Sequence, residues 1–261
     1  MARIRLFRSV VFLSAVMLLQ ATTLVSFASE AQSVPTGQAT VGRRRSRVTF
    51  KPPQGQALAP RKTIGGGRRG GGECLQSSAN SITENLHPLL PAQGPALTVS
   101  EHPTFLVYVP STSAKLVEFT LLSPEGDGLY QSKVNLTGSA GVVRFSLPKT
   151  EPALELNKDY SWIVSLACQP DGPEPGDPFV EGVVRRIQPN EDLITNLKQA
   201  KLESSLAQIA TYSDSGIWYE AAADLANLQA AKPHDAEIKQ AWQDLLQSVG
   251  LEAIASAPLE N

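Results

Sequence analysis

The chain has 261 residues, of which 23 are Lys or Arg, 25 are Asp or Glu, three are His and two are Cys. Cys74, Cys168, His87, His102 and His234 lie far apart, which excludes the short ligand spacings of a zinc site, and no G-x-S-x-G or H-E-x-x-H motif marks a hydrolase. The formal net charge of −2 conceals a division along the chain.

Residues 1–28 carry the pattern of an export signal. Arg3, Arg5 and Arg8 precede the apolar run VVFLSAVMLL, and Ser26-Phe27-Ala28 supplies a small-x-small cleavage pattern. The uninterrupted core, Val10 to Leu19, is half of the roughly 20 residues that span a bilayer, so no permanent membrane span is expected. No Cys stands near the cleavage point to support a lipid anchor. The expected location is exported: periplasm, cell envelope or extracellular. A mature chain of about 230 residues suffices for one ordinary domain and a smaller one.

Residues 29–73 read as a basic, disordered arm. From Ala31 to Gly72 there are nine Lys or Arg and no Asp or Glu, whereas from Glu73 onward eleven basic residues face twenty-four acidic ones. The arm is rich in Gly, Pro, Gln and Arg, and has too little apolar surface to offset the entropy of ordering. Arg43, Arg44, Arg45, Arg47, Arg68 and Arg69 are its candidate polyanion-binding residues. Gly65, Gly67 and Gly70 satisfy G-x-G-x-x-G, but no strand precedes them and no helix follows, so the N–H groups that hold a pyrophosphate have no source. No cofactor is expected. Arg69-Gly70-Gly71 resembles a nucleic-acid-binding tail, and export argues against that use. The arm serves instead as a linker on its own acidic body or as a tether to an anionic envelope polymer.

Both cysteines survive cleavage, and in an oxidising compartment they suggest one bridge between Cys74 and Cys168. Two buried free thiols are the alternative.

Residues 74–188 predict an antiparallel β-sandwich of immunoglobulin-like or fibronectin-like type, with short strands at intervals of about ten residues. The strands expected are Thr104–Val109, Lys115–Leu122, Leu129–Leu136, Gly141–Leu147, Tyr160–Cys168 and Phe179–Ile187. Val117, Phe119 and Leu121 share one face, as do Tyr160, Trp162, Val164, Leu166 and Cys168. Both faces of TFLVYV are apolar, which predicts a central strand covered on each side. Tyr160 opens its strand after a long connection, resembling a tyrosine corner, although Trp162 stands where that pattern has Cys. Two acidic loops, SPEGDG with Glu125 and Asp127 and PDGPEPGDP with Asp171, Glu174 and Asp177, invite calcium, but alternating strands put them at opposite ends. Glu151 and Glu155 sit in a connection of ordinary surface composition.

Residues 189–256 change to helical periodicity. Asn190 is a plausible cap for a first helix running to about Tyr212, a second spans Gly216 to Ala231, and a third spans Asp235 to Val249 with Gly250 as its stop. Gly216 to Glu237 resembles a single tetratricopeptide-type unit. A lone unit cannot bury its own face, so these helices either dock on the sandwich or offer a groove to a partner.

Several segments together resemble a cyanobacterial family of exported proteins known as domain of unknown function 928. They are PRKTIGGGRRGGGEC, HPLLP, HPTFLVYVP, EFTLLSPEGDGLYQ, LELNKDYSWIVSLAC, VEGVVRRI and GIWYEAA, within about Lys51 to Leu251. The resemblance implies export and a two-part body and supplies no reaction and no catalytic residue. The function expected is a non-catalytic interaction or structural module that binds a protein partner or a cell-envelope polymer. A polyanion tether working through the arm, and an envelope hydrolase of unknown type, are the alternatives.

Overall fold

A computed structural model describes residues 47–53, 74–75, 82–92 and 96–260. Six strands fall where alternation places them, within a residue or so at each end: β3 Thr104–Val109, β4 Leu116–Leu122, β5 Gly128–Asn135, β6 Gly141–Ser146, β7 Asp159–Ala167 and β8 Phe179–Arg186. Two short strands escape periodicity, β1 His87–Pro88 and β2 Ala96–Thr98, because two or three residues are too few to show a period. One sheet has the order β1-β3-β6 and the other β2-β8-β7-β4-β5. Pairing is antiparallel throughout, except that β2 runs parallel to β8.

Register explains the core. Val117, Phe119 and Leu121 lie opposite Leu166, Val164 and Trp162, so one inward face of the five-stranded sheet is continuous. All six of these side chains are buried. Against them pack Phe105 and Phe145 of the smaller sheet, with the Phe119 ring 4.8 Å and 5.2 Å from theirs. β3 is the middle strand of that smaller sheet and five of its six residues are buried, as its two apolar faces require. Gly182 lies opposite Trp162, and a Cβ there would overlap the indole. The glycine is what lets the largest core side chain lie flat on its neighbour strand.

Four helices follow: α1 Glu191–Glu203, α2 Ser205–Asp214, α3 Trp218–Ala231 and α4 Ala236–Gln247. The single helix expected from Asn190 to Tyr212 is two. Asn190 caps α1 by accepting from the Leu193 N–H, but Ser204 is extended (φ −170°, ψ 164°) and its hydroxyl caps α2 by accepting from the Ala207 N–H. A Ser-Ser pair offers the backbone a cap in competition with helix continuation, and apolar periodicity does not register that contest. Asp235 caps α4, and Gly250 beyond its end adopts φ +79°.

The helices dock on the sheets, as one of the two expected roles requires. α3 packs against β2 and β3, and Trp218, Leu225, Trp242, Leu245 and Leu246 belong to the same buried cluster as the sheet residues. Trp162 donates to the Tyr219 hydroxyl at 2.9 Å, and Trp218 donates to the Leu89 carbonyl at 2.8 Å, so two indoles fasten the helical layer to the strands. Strands and helices belong to one compact unit, residues 44–261.

Residues 47–53, within the stretch read as arm, lie on this body. Val48 is fully buried, and the Phe50 ring meets Trp218 edge-on at 5.1 Å. The Phe50 N–H donates to the Ser248 hydroxyl, the Lys51 N–H donates to the Ser213 carbonyl, and Lys51 pairs with Asp214 at 2.7 Å. The sequence VTF supplies the two apolar side chains, Val48 and Phe50, that meet the body. The export segment 1–28, Arg43, Arg44, Arg45, Arg68, Arg69 and the glycine motif lie outside the described residues.

Cys74 and Cys168 are joined by a disulfide with Cα atoms 5.2 Å apart and a sequence separation of 94. It ties residues 74–75, which also bridge Thr112, to the far end of β7. At the other margin of the small sheet, residues 258–260 line the free edge of β6, where Val142 and the tail exchange backbone hydrogen bonds of 2.7 Å and 2.9 Å. That covers an edge otherwise open to pairing.

Candidate functional site

A cleft opens at the end of the sandwich where β4 turns into β5 and where the long β6–β7 connection crosses. Its volume is about 240 Å³. One wall is the turn after β4. There the Ser123 hydroxyl accepts from the Glu125 and Asp127 N–H groups, and Gly126 takes φ +97°. The other wall is residues 147–158, pinned by several independent bonds. Leu154 donates to the Glu101 carbonyl, Asn157 donates to the Arg186 carbonyl, and Arg186 reaches back to the Leu154 carbonyl. His102 Nε2–H donates to the Glu151 carbonyl at 2.9 Å, and the Glu155 N–H donates to the Tyr160 hydroxyl at 3.1 Å. The tyrosine at the strand entry thus holds the connection that forms the cleft.

The floor of the cleft is apolar, with Leu121, Leu147, Leu154 and Tyr160 all buried. Pro124, Leu129, Tyr130, Pro152 and Ala153 form its sides, and Leu129 keeps 42% of its surface in water. Glu125, Glu151 and Glu155 stand at the rim with one cation, Lys158, which already pairs with Glu155 at 2.9 Å. That hydrogen bond holds the Lys158 ammonium above its ordinary range. Apolar floor and negative rim together suit an aliphatic side chain flanked by positive charge. The volume is below the roughly 300–1,000 Å³ of sites for small molecules, so one or two side chains would fill it.

Ser123 is occupied as a turn cap, and the Tyr160 hydroxyl accepts from backbone. The three histidines are dispersed. His102 holds the connection. His87 is on β1, its imidazole pushed below its ordinary value by burial against the opposing effect of the Pro88 carbonyl, and His234 is exposed between α3 and α4. Glu151 and Glu155, read from the sequence as ordinary surface, line the rim together; their spacing carried no sign of the fold-back that brings Glu125 beside them.

The two acidic loops lie at opposite ends of the larger sheet, since Leu122 faces Ser161 while Leu116 faces Ala167. Asp177 caps its own turn by accepting from the Cys168 and Glu174 N–H groups. Among the described residues no group of three or more His, Cys, Asp or Glu is arranged to hold a metal ion, and no helix is long and apolar enough to cross a membrane.

A second polar feature was not legible in the sequence. Glu220 in the first turn of α3 directs Oε1 at the end of β2, accepting from Thr98 Oγ1 at 2.6 Å, the Ser100 N–H at 2.8 Å and the Val99 N–H at 3.1 Å. Its Oε2 is sealed from solvent without a hydrogen-bond partner. Burial pushes the Glu220 carboxyl above its ordinary value, against those hydrogen bonds, and burial likewise raises Asp224 one turn on. Thr98 is fully buried, so this contact is a joint between helix and sheet. Between α1 and α2 lies a shallower groove of about 360 Å³, lined by Asn196, Gln199, Glu203, Thr211 and Asp214 among others. Its lining holds no large apolar side chain.

Two sheets of three and five strands, closed by a four-helix layer and bearing an apolar cleft with an acidic rim, define a β-rich body with a fused helical cover. Residues 64–259 match the model of the family described as Domain of Unknown Function (DUF928), and the chain belongs to that family. No curated protein matches the chain.

Proposed function

We propose that the chain is an exported, non-catalytic interaction module that binds another protein or a cell-envelope polymer. The observation that carries this reading is the cleft, whose apolar floor and three rim glutamates can recognise a cationic, partly apolar segment. Export is supported by the signal pattern of residues 1–28 and by the paired cysteines. We read the sandwich as immunoglobulin-like. β3 and β6 stand in the places of strands B and E, β4, β7 and β8 in those of C, F and G, and Tyr160 accepts from backbone five residues upstream at the entry to the F-like strand.

A tether to an anionic polymer is the second reading. Its support is the anchoring of residues 47–53, which fixes the root of a preceding segment containing Arg43, Arg44 and Arg45. The test is capture from envelope extract by the full chain and by a form lacking residues 31–46, each at two salt concentrations. That deletion spares Val48 and Phe50. Binding through the cleft survives the deletion and is lost in Glu125→Gln/Glu151→Gln/Glu155→Gln. Binding through the arm disappears with the deletion and falls steeply with salt. Capture unaffected by either change overturns both readings.

A further inference from the structure

We propose that the outer edge of β5 pairs with the β5 edge of a second copy of this chain, antiparallel and centred on Ser132. The inference stands apart from what the cleft binds.

The edge is the first observation. β5 forms one margin of the five-stranded sheet and, among the described residues, pairs with β4 alone. The edge of β6 is lined by residues 258–260, and Ile217 bridges Leu97 on β2. The Leu136 N–H donates to the Lys115 carbonyl at 2.9 Å. Antiparallel ladder groups alternate, so Tyr130, Ser132 and Val134 direct their backbone groups to β4 while Gln131, Lys133 and Asn135 turn theirs outward. A row of outward N–H and C=O groups is a template for another strand. An edge lysine normally guards against such pairing, but Lys133 is held by Glu118 of its own sheet at 3.2 Å.

The second observation is self-complementarity, which selects one register. Outward residues can exchange bonds only with outward residues, and the irregularity between Leu121 and Leu122 confines the regular edge to Tyr130–Asn135. Centring the pair on Lys133 sets two lysines face to face, which is destabilising. Centring nearer either end of the run shortens the pairing or enters the bulge. Centring on Ser132 places Gln131 opposite the partner's Lys133, each exchanging both backbone bonds, and places Tyr130 opposite the partner's Val134. Tyr130 and Val134 are both only partly covered where they pack on the core. An aromatic and a β-branched side chain at non-hydrogen-bonded positions make a close, favourable cross-strand contact.

The third is charge. The turn that leads into β5 carries Glu125 and Asp127, both exposed, and the strand's far end lies beside Lys115, also exposed. Antiparallel pairing about Ser132 brings the acidic turn of each copy alongside the partner's Lys115, so opposite charges meet at both ends of the joined edge. The two five-stranded sheets become one continuous sheet. Tyr130 also lines the cleft, so the partner's Val134 extends that wall. One strand pair is a small contact, which makes the association weak and dependent on concentration.

The test uses the full chain. Ser132→Cys sets the two substituted positions on the axis with Cα atoms about 4.5 Å apart, within disulfide range. Gln131→Cys and Lys133→Cys each leave the two copies of the substituted position about 8 Å apart, out of range. In a glutathione redox buffer the expected result is a covalent dimer from Ser132→Cys, rising with protein concentration, at a yield about tenfold above the other two. Mass spectrometry of the unreduced digest locates the bond. Sedimentation of the unsubstituted chain should pass from monomer to dimer with concentration. Gln131→Pro removes an outward N–H and leaves the β4 ladder intact, whereas Gln131→Lys keeps a donor for Glu118 and sets like charge opposite the partner's Lys133. Each should weaken the dimer about tenfold with the Tm of the monomer unchanged, and the lysine variant decides the matter where proline perturbs folding. Monomer at every concentration, equal disulfide yields at the three positions, or a dimer indifferent to Gln131→Lys overturns the proposal.

Discussion

Removing the Glu220 side chain should separate two effects that the structure superimposes. Oε1 accepts three hydrogen bonds at the helix–sheet joint, while burial opposes the charge that the carboxylate carries. In Glu220→Ala the Val99 N–H and the Thr98 hydroxyl lose their acceptor, whereas the Ser100 N–H keeps Thr98 Oγ1 at 3.0 Å. Two orphaned buried groups at about 1–3 kcal/mol each give a loss of about 2–6 kcal/mol. Glu220→Gln retains an oxygen for all three donors and removes the ionisation. Its cost at pH 8 should be less than half that of the alanine variant. The pH dependence has a definite sign. Because the folded carboxyl titrates above its ordinary value near 4.5, the folded state binds the proton more readily than the unfolded chain. The stability contributed by this group therefore grows as pH falls through the raised folded value and is complete below the unfolded one. Asp224 shifts in the same direction but is present in both proteins, and the phenol of Tyr212, raised chiefly by its own burial, titrates well above this window. Urea unfolding of wild type and Glu220→Gln at pH 8 and pH 5 measures the difference, with wild type gaining on the glutamine variant at the lower pH. Equal costs for Ala and Gln at both pH values, or no change in the wild-type-to-Gln difference with pH, would refute the reasoning.

Gly182→Ala places a methyl group in the Trp162 indole and against Leu90, and overpacking at such a site costs about 1–3 kcal/mol, read as a lower urea midpoint at unchanged slope. Phe50→Ala removes an edge-on ring from Trp218 and should cost about 2–3 kcal/mol, below the value for a fully buried Phe, whereas deletion of residues 31–46 leaves the midpoint unchanged. Cys74→Ser with Cys168→Ser releases a loop of 94 residues, for which the chain-entropy model gives about 4–5 kcal/mol. Equal melting temperatures for oxidised and reduced wild type would refute that assignment.

Strand periodicity was the most legible property of this chain, because alternation of apolar and polar residues is a local consequence of the pleat. Val117, Phe119 and Leu121, and Tyr160, Trp162, Val164 and Leu166, declared their inward faces without any tertiary information. The cap at Asn190 was legible for the same reason, since it bonds to an N–H group three residues away. The break at Ser204 lay below that resolution, because both continuing and ending the helix satisfy local rules there. The docking of Val48 and Phe50 was hidden by composition, which averages two apolar side chains into a long basic arm.

Local sequence thus determined the strands, the helical tail and the contrast between a basic arm and an acidic body. Tertiary structure alone decided which residues meet: Glu125 with Glu151 and Glu155 at one rim, Glu220 with Thr98, and Phe50 with Trp218. The physical reason is that burial and charge proximity depend on chain segments far apart in sequence, and no short-range pattern encodes that distance.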